Sequence, residues 1–209
     1  MYFDELDLED EVLDGLEAMN FFETTPVQEA TIPLLLERRD MIACAQTGTG
    51  KTAAYLLPII NRLSRGEGDP KKVNAVIMAP TRELAIQIER VAEPLAHPLG
   101  IGTVVIYGGA DIERQKEKLR RSPQLVIGTP GRLLDHVRRG TLALGRVNKV
   151  VLDEADEMLK MGFIEDVETL LTKTAQDYQL ALFSATMPER IVRLTKRFMT
   201  NPAHIRLAG

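Results

Sequence analysis

Along this chain, short apolar runs alternate with longer segments in which apolar and polar residues recur at helical spacing. The runs are nearly continuous, as in 76–78 (Val-Ile-Met) and 150–152 (Val-Val-Leu), which is typical of strands buried on both faces. The pattern predicts strands at 40–44, 75–79, 103–107, 125–128, 149–153, 180–184 and 204–207.

Helix-sized segments lie between these strands, and two more precede the first strand. They predict helices at 8–20, 26–37, 53–65, 82–96, 111–121, 131–139, 155–174 and 188–199. Regular alternation of strand and helix predicts an α/β fold, a three-layer sandwich with a parallel sheet of about seven strands and helices on both faces. The Gly- and Pro-containing stretch 65–72 is expected to be a loop.

The charge is unevenly distributed. The 209 residues contain 26 Lys and Arg against 30 Asp and Glu, a net charge of −4, which argues against a general nucleic-acid binder. Residues 1–30 hold ten acids and no base, so the rest of the chain has 26 bases, 20 acids and a net charge of +6. The simplest interpretation of the acidic head is a solvated helix face.

The remaining composition points to a reducing, cytoplasmic environment. A single cysteine, Cys44, excludes a disulfide framework, and we expect it to be a buried strand residue. The three histidines lack metal-ligand spacing. The acidic N-terminus is unlike a signal peptide, and no apolar run approaches the roughly 18 residues that span a bilayer.

The strongest chemical signal is a phosphate-binding loop between the first predicted strand and the helix that follows it. Its residues are Ala45, Gln46, Thr47, Gly48, Thr49, Gly50, Lys51 and Thr52. Glycines let backbone N–H groups approach a phosphate closely, and the helix N-terminus adds partial positive charge. Lys51 is expected to reach the β and γ phosphates, and Thr52 to ligate Mg²⁺. Ala45 departs from the general pattern of phosphate-binding loops. The alternative interpretation of the segment is a glycine-rich turn that occurs by chance.

A second signal is an apolar strand that ends in acidic residues at 153–156. Asp153 is expected to hold Mg²⁺ through water, and Glu154 to orient and deprotonate the attacking water of a nucleoside triphosphatase. An acidic helix start with a favourable dipole is the alternative. The phosphate loop about a hundred residues upstream favours the catalytic interpretation.

Asp153-Glu154-Ala155-Asp156 spells the name of the DEAD-box ATP-dependent RNA helicases, and the chain resembles this family over nearly its whole length. The phosphate loop matches the family's first motif, including its alanine. Further matches, in order, are Pro80-Thr81-Arg82-Glu83-Leu84-Ala85, Gly108-Gly109, Thr129-Pro130-Gly131-Arg132 and Ser184-Ala185-Thr186. The resemblance implies a RecA-like ATP-binding domain at 31–209, with a head at 1–30 packed on it.

The head carries a segment, 20–28, that is similar to the family's adenine-binding Q motif. The resemblance implies that Gln28 hydrogen-bonds adenine, that Thr25 belongs to the same site, and that Phe21 or Phe3 stacks on the base. Asn20 and Thr24 depart from the family pattern. An ordinary core position is the alternative for either aromatic ring.

The resemblance also implies RNA contacts to backbone and sugar, with little sequence specificity. The implied residues are Pro80, Thr81, Arg82, Gly108, Gly109, Thr129, Pro130, Gly131 and Arg132. Structural salt bridges are the alternative for the two arginines. In the family, the hydroxyls equivalent to Ser184 and Thr186 bond the acidic tetrad, with Asp156 the expected partner.

Family members have a second, similar domain whose arginines complete the catalytic site. No matching motifs occur in this chain, so we expect a monomeric N-terminal domain of a bacterial helicase that binds ATP and Mg²⁺, hydrolyses ATP poorly alone and does not unwind RNA. Two alternatives remain: a DNA-directed ATPase of the same superfamily, and a nucleotide-binding module that clamps RNA or a partner without turnover.

Overall fold

A computed structural model describes residues 1–45 and 50–207. Its seven strands are β1 (Met41–Cys44), β2 (Ala75–Met78), β3 (Thr103–Ile106), β4 (Leu125–Gly128), β5 (Lys149–Leu152), β6 (Gln179–Ser184) and β7 (Ala203–Arg206). They form one sheet in the order β3-β4-β2-β5-β6-β1-β7, and every neighbouring pair is parallel. The predicted α/β fold with a seven-stranded parallel sheet is confirmed.

The α-helices of the described residues occupy the connections and the N-terminal region. They are α1 (Asp10–Ala18), α2 (Pro26–Leu36), α3 (Lys51–Ser64), α4 (Arg82–Ala96), α5 (Ile112–Leu119), α6 (Pro130–Arg138), α7 (Ala155–Lys160), α8 (Ile164–Thr172) and α9 (Glu189–Phe198). Short 3₁₀ helices lie at Phe3–Glu5 and His97–Leu99.

The sheet separates two hydrophobic clusters, as the alternation of side chains along a strand requires. In β2, Ala75 and Ile77 face the cluster formed with helices α1–α4. Val76 and Met78 face the cluster formed with the later helices, α5–α9. The head contributes to the first cluster through buried side chains that include Phe3, so the Phe3 ring is packed in the core and Phe21 is the more accessible of the two aromatic residues.

Two further expectations need correction. The single helix predicted at 155–174 is divided at Gly162, whose φ of +79° is a left-handed value that ends α7 before α8 begins. Cys44 is half-buried and not buried as expected, because it is the last residue of β1 and lies at the end of the sheet. The parallel register brings the C-terminal ends of β1, β5 and β6 to one edge, where α/β folds place their ligands.

Candidate functional site

The phosphate loop leaves β1 at Cys44 and enters α3 at Lys51. The predicted residues Gln46, Thr47, Gly48 and Thr49 lie outside the described residues. Gly50 has a φ of +93°, and a Cβ there would overlap the Thr25 hydroxyl and lie 2.8 Å from Gln28 Nε2. Only glycine accommodates both this left-handed backbone and the close approach of the Q segment.

Lys51 points from the first turn of α3 to the end of β5. Its Nζ lies 2.8 Å from Asp153 Oδ1, and the Asp153 side chain is fully buried. Tyr55, one turn further along α3, donates its hydroxyl hydrogen bond to Asp153 Oδ2 at 2.7 Å. Within residues 1–45 and 50–207, Asp153 Oδ1 accepts no well-aligned hydrogen bond. The ion pair with Lys51 is therefore the main interaction that offsets the cost of burying this charged oxygen.

Glu154 follows Asp153 in a left-handed conformation, with a φ of +53°, at the N-terminus of α7. Partial burial raises the pKa of Glu154, while the nearby Lys51 ammonium opposes that rise. A carboxylate with a raised pKa beside a buried Asp–Lys pair suits a group that accepts a proton.

The third acid of the tetrad, Asp156, is bonded to the segment after β6. Its Oδ2 accepts hydrogen bonds from Thr186 N at 3.1 Å and from Thr186 Oγ1 at 3.0 Å. Its own N–H donates to Ser184 Oγ at 3.1 Å, and that hydroxyl donates to the Thr186 carbonyl at 2.6 Å. Burial alone would raise the pKa of Asp156, but the bonds from Thr186 and Ser184 lower it.

The Q segment is joined to the phosphate loop. Thr25 caps α2, and its N–H donates to Gln28 Oε1 at 2.9 Å. Gln28 Nε2 donates to the Gly50 carbonyl at 3.1 Å. Phe21 is exposed at 43% and is therefore accessible to a ligand.

Five of the RNA candidates lie around the start of α4 and in the loop after β3. Thr81 Oγ1 caps α4 by accepting a bond from Leu84 N at 3.1 Å. Arg82 is exposed, and its guanidinium lies 4.8 Å from the centre of the Tyr107 ring, while Pro80 is buried. The glycines of the loop, Gly108 and Gly109, are exposed.

The other candidates form the start of α6. Thr129 is the N-cap residue, Pro130 occupies the first turn and Gly131 follows it. Arg132 is only 16% exposed at its side chain and donates through Nη1 to the Ala110 carbonyl and to Gln115 Oε1, both at 3.1 Å. The salt-bridge alternative is weak for Arg132, because its nearest carboxylate oxygen, in Asp135, is 3.9 Å away.

Sequence reasoning missed several residues that complete these sites. They are Tyr55, which supports Asp153, Tyr107, which stacks with Arg82, and the buried pair Gln115 and His136. The sequence could have pointed to Gln115 and His136, because each is a polar residue on the otherwise apolar face of a helix. Among residues 1–45 and 50–207, no cluster of three or more His, Cys, Asp or Glu could hold a metal ion.

Comparison with known proteins agrees with this geometry. A model of the DEAD/DEAH box helicases matches residues 25–194, more than half of the chain. The chain belongs to this family. It is 49% identical over 205 residues to the "ATP-dependent RNA helicase CshA" of Listeria monocytogenes, covering 98% of this chain and 39% of that protein. The same identity holds over 197 residues of the "ATP-dependent RNA helicase DeaD" of Buchnera aphidicola, covering 94% and 32%.

Solved structures give the same assignment. A "DEAD box protein" from Methanococcus jannaschii has a TM-score of 0.92 and 41% identity, covering 100% of this chain and 56% of that one. A "hypothetical ATP-dependent RNA helicase" from Sulfolobus tokodaii has a TM-score of 0.87 and 34% identity, covering 96% and 57%. The chain therefore has the fold of DEAD-box RecA-like domains, and it spans about two fifths of the CshA proteins it matches. Among the helices of the described residues, none is long and apolar enough to cross a membrane.

Proposed function

We propose that this chain is the N-terminal, ATP-binding domain of a cytoplasmic ATP-dependent RNA helicase. The whole protein would couple ATP hydrolysis to local unwinding of RNA duplexes. The observation that carries the proposal is the buried Lys51–Asp153 pair, 2.8 Å apart, adjoining an Asp156 that is bonded to Thr186. This arrangement joins a phosphate-binding lysine, a metal-binding carboxylate and a connection to the next strand at one edge of the sheet.

The adenine end of the nucleotide would bind at the Q segment. Gln28 uses one lone pair of Oε1 on Thr25 N and one hydrogen of Nε2 on the Gly50 carbonyl. A glutamine amide has capacity for a second bond at each atom, which matches the donor and acceptor on the adenine edge. Phe21 offers an exposed ring for stacking. Residues 45–52 would hold the phosphates.

The residues present also fit Mg²⁺. The fully buried Asp153 carries an oxygen that lacks a well-aligned hydrogen bond within the described residues, and Thr52 lies at the start of α3. Mg²⁺ commonly takes one or two protein oxygens, several waters and the substrate phosphates. When bound, it would neutralise charge on the phosphates. Glu154 would accept the proton of the attacking water, and Lys51 would bind the phosphate oxygens.

RNA would bind through the starts of α4 and α6 and the loop at 108–109, as backbone contacts with little sequence specificity. The matched relatives are more than twice as long as this chain. A second domain would supply the arginines that stabilise the transferring phosphoryl group. Because such an arginine is worth about 10³–10⁵ in turnover, this chain alone should bind nucleotide but hydrolyse ATP poorly.

A nucleotide titration tests the ATP site. Fluorescent ADP should bind the 209-residue chain, and Lys51→Ala should abolish the signal, while Lys72→Ala, in an exposed loop, serves as the control. Gln28→Ala should reduce the preference for ADP over GDP. Equal binding by the wild type and Lys51→Ala would refute the site.

The catalytic assignment and the RNA preference need the longer protein. Its ATPase activity should rise with RNA more than with DNA and fall on Glu154→Gln. Unchanged turnover in Glu154→Gln would contradict the role of Glu154. Equal stimulation by DNA would favour a DNA-directed ATPase instead.

A further inference from the structure

A buried polar network lies beneath the exposed glycine loop and joins α5 to α6. Gln115 on α5 is 5% exposed, and His136 on α6 is fully buried. Gln115 Nε2 donates to the Tyr107 carbonyl at 2.9 Å, and its Oε1 lies 2.8 Å from His136 Nε2. Polar groups are costly to bury, so a hydrogen-bonded network at this position needs a reason beyond filling space.

The network holds the loop at both of its ends. Gln115 binds the carbonyl of Tyr107, immediately before Gly108, and Arg132 binds the carbonyl of Ala110, immediately after Gly109. Because Arg132 Nη1 also donates to Gln115 Oε1, one glutamine fixes the first end directly and the second through the arginine. The two glycines between these anchors are exposed, and Gly109 has a left-handed φ of +81°.

His136 supports Gln115 from the other side. Since Gln115 Oε1 can only accept, His136 Nε2 must carry the hydrogen of this bond. The other ring nitrogen, Nδ1, lies 2.7 Å from Thr141 Oγ1, which fixes the ring orientation. Burial lowers the pKa of His136, with nearby Arg132 acting in the same direction, which favours the neutral ring that this arrangement uses.

Arg132 retains a nitrogen for a ligand. Its Nη1 is occupied by the two bonds above, whereas Nη2 has no hydrogen-bond partner within residues 1–45 and 50–207. A guanidinium whose one nitrogen is anchored presents the other in a fixed direction, which suits contact with a phosphate. The position of Gln115 thus decides where both the loop and this nitrogen lie.

We propose that Gln115, supported by His136, is a positioning residue for RNA: it sets the Gly108–Gly109 loop and the Arg132 guanidinium in the geometry that binds the RNA backbone. The inference rests on the proposed function, because it assumes that this surface binds RNA. Gln115 itself is buried and touches no ligand. Neither residue belongs to a motif of the family resemblance, and the contacts alone assign the role.

The test compares RNA and nucleotide affinity in the same variants. Gln115→Met keeps the size of the side chain and removes both hydrogen-bonding ends. We expect its Kd for a labelled oligouridine, measured by fluorescence anisotropy, to rise about tenfold, as the loss of roughly one well-placed bond predicts. Its Kd for fluorescent ADP should stay at the wild-type value. Gln176→Met is the matched control, because Gln176 is exposed in the loop that precedes the N-terminal end of β6, whereas the glycine loop follows the C-terminal end of β3.

A second pair of variants separates positioning from folding. His136→Gln keeps an N–H donor toward Gln115 and should retain most of the RNA affinity, whereas His136→Leu removes the donor and should lose it. Hydrogen exchange at the amides of residues 108–111 should become faster in Gln115→Met and in His136→Leu. If Gln115→Met does not fold, the comparison of His136→Gln with His136→Leu still tests the proposal.

Each outcome decides between the hypotheses. Wild-type RNA affinity in both Gln115→Met and His136→Leu would overturn the positioning role alone. A parallel loss of ADP and RNA affinity would also overturn it, because that result indicates a general structural role. If the wild-type chain binds ADP but no RNA, the proposed RNA surface itself is wrong, and this inference falls with it.

Discussion

Replacing Tyr55 by phenylalanine isolates the hydrogen bond that Tyr55 donates to the buried Asp153. Tyr55 and Asp153 are both fully buried, and the hydroxyl lies 2.7 Å from Asp153 Oδ2. Burial raises the pKa of Tyr55 well above its ordinary value, and the adjacent Asp153 charge raises it further, so the hydroxyl keeps its proton. Phenylalanine keeps the ring, and with it the tilted contact to Phe183 at 5.3 Å.

The magnitude follows from the charge of the acceptor. A hydrogen bond to an ionised group contributes about 1.5–3 kcal/mol, and the variant also leaves a buried carboxylate oxygen without its donor. In the variant, the ion pair with Lys51 is the remaining interaction that stabilises the buried carboxylate. We therefore expect Tyr55→Phe to lower the free energy of unfolding by about 2–3 kcal/mol, without the cavity that a smaller side chain would leave.

Urea denaturation at neutral pH measures this loss as a lower midpoint with an unchanged slope. Tyr178→Phe is the matched control, because Tyr178 donates to a neutral acceptor, the Phe198 carbonyl, at 2.6 Å and is only partly buried. That variant should lose about 1 kcal/mol. Equal losses in the two variants, or a Tyr55→Phe protein as stable as the wild type, would refute the argument that the charge on Asp153 makes this bond strong.

Three further predictions concern a buried lysine, an acidic residue and a glycine. Burial lowers the pKa of Lys149 to about 8, so Lys149→Met should stabilise the fold at pH 7 by up to about 3 kcal/mol in thermal or urea unfolding. Between roughly pH 8 and 10.5 the unfolded chain binds the additional proton, so wild-type stability rises with pH there and this gain should shrink. Thr186→Val removes one donor to Asp156 and should cost about 1 kcal/mol at neutral pH, in a urea series in which the difference disappears as the pH falls through the lowered pKa of Asp156. Gly50→Ala should weaken fluorescent ADP binding and lower Tm more than Gly140→Ala, which has a φ of +75° but open space around its Cβ.

The fold was predictable from sequence because its strands are buried on both faces. Continuous apolar runs such as 150–152 leave few other interpretations, and the predicted helix 82–96 matches α4, whose first turn is capped by Thr81. The break between α7 and α8 was missed because apolar residues continue at helical spacing across it. Only the left-handed backbone of Gly162 marks the break, and a glycine within a helical pattern does not reveal its φ.

The chemical residues were predictable where a short motif places them on one loop. Lys51 and Asp153 were assigned from separate motifs, and the parallel order of the strands brings them into contact. Tyr55, Gln115 and His136 could not be assigned in this way. Their roles depend on partners 98, 8 and 21 residues away that only the folded chain brings within hydrogen-bond distance.

The acidic head contacts α3 through ion pairs and a hydrogen bond. Its helix α1 carries exposed acids, as the simplest interpretation expects, but the segment before α1 has a different environment. Arg65, next to the C-terminal end of α3, pairs with Asp7 at 3.1 Å and also with Glu9. The Glu9 N–H donates to the buried Asn61 of α3 at 2.6 Å.

The same helix α3 begins at Lys51, so the head is attached to both ends of the helix that follows the phosphate loop. At its N-terminal end the attachment is Gln28 to the Gly50 carbonyl, and at its C-terminal end it is Arg65 to the acids. The exposed ion pairs contribute little stability individually. Their position indicates that the negative charge of the head serves to orient the Q segment on α3, so the net negative charge of the chain does not contradict the proposed RNA surface at Arg82 and Arg132.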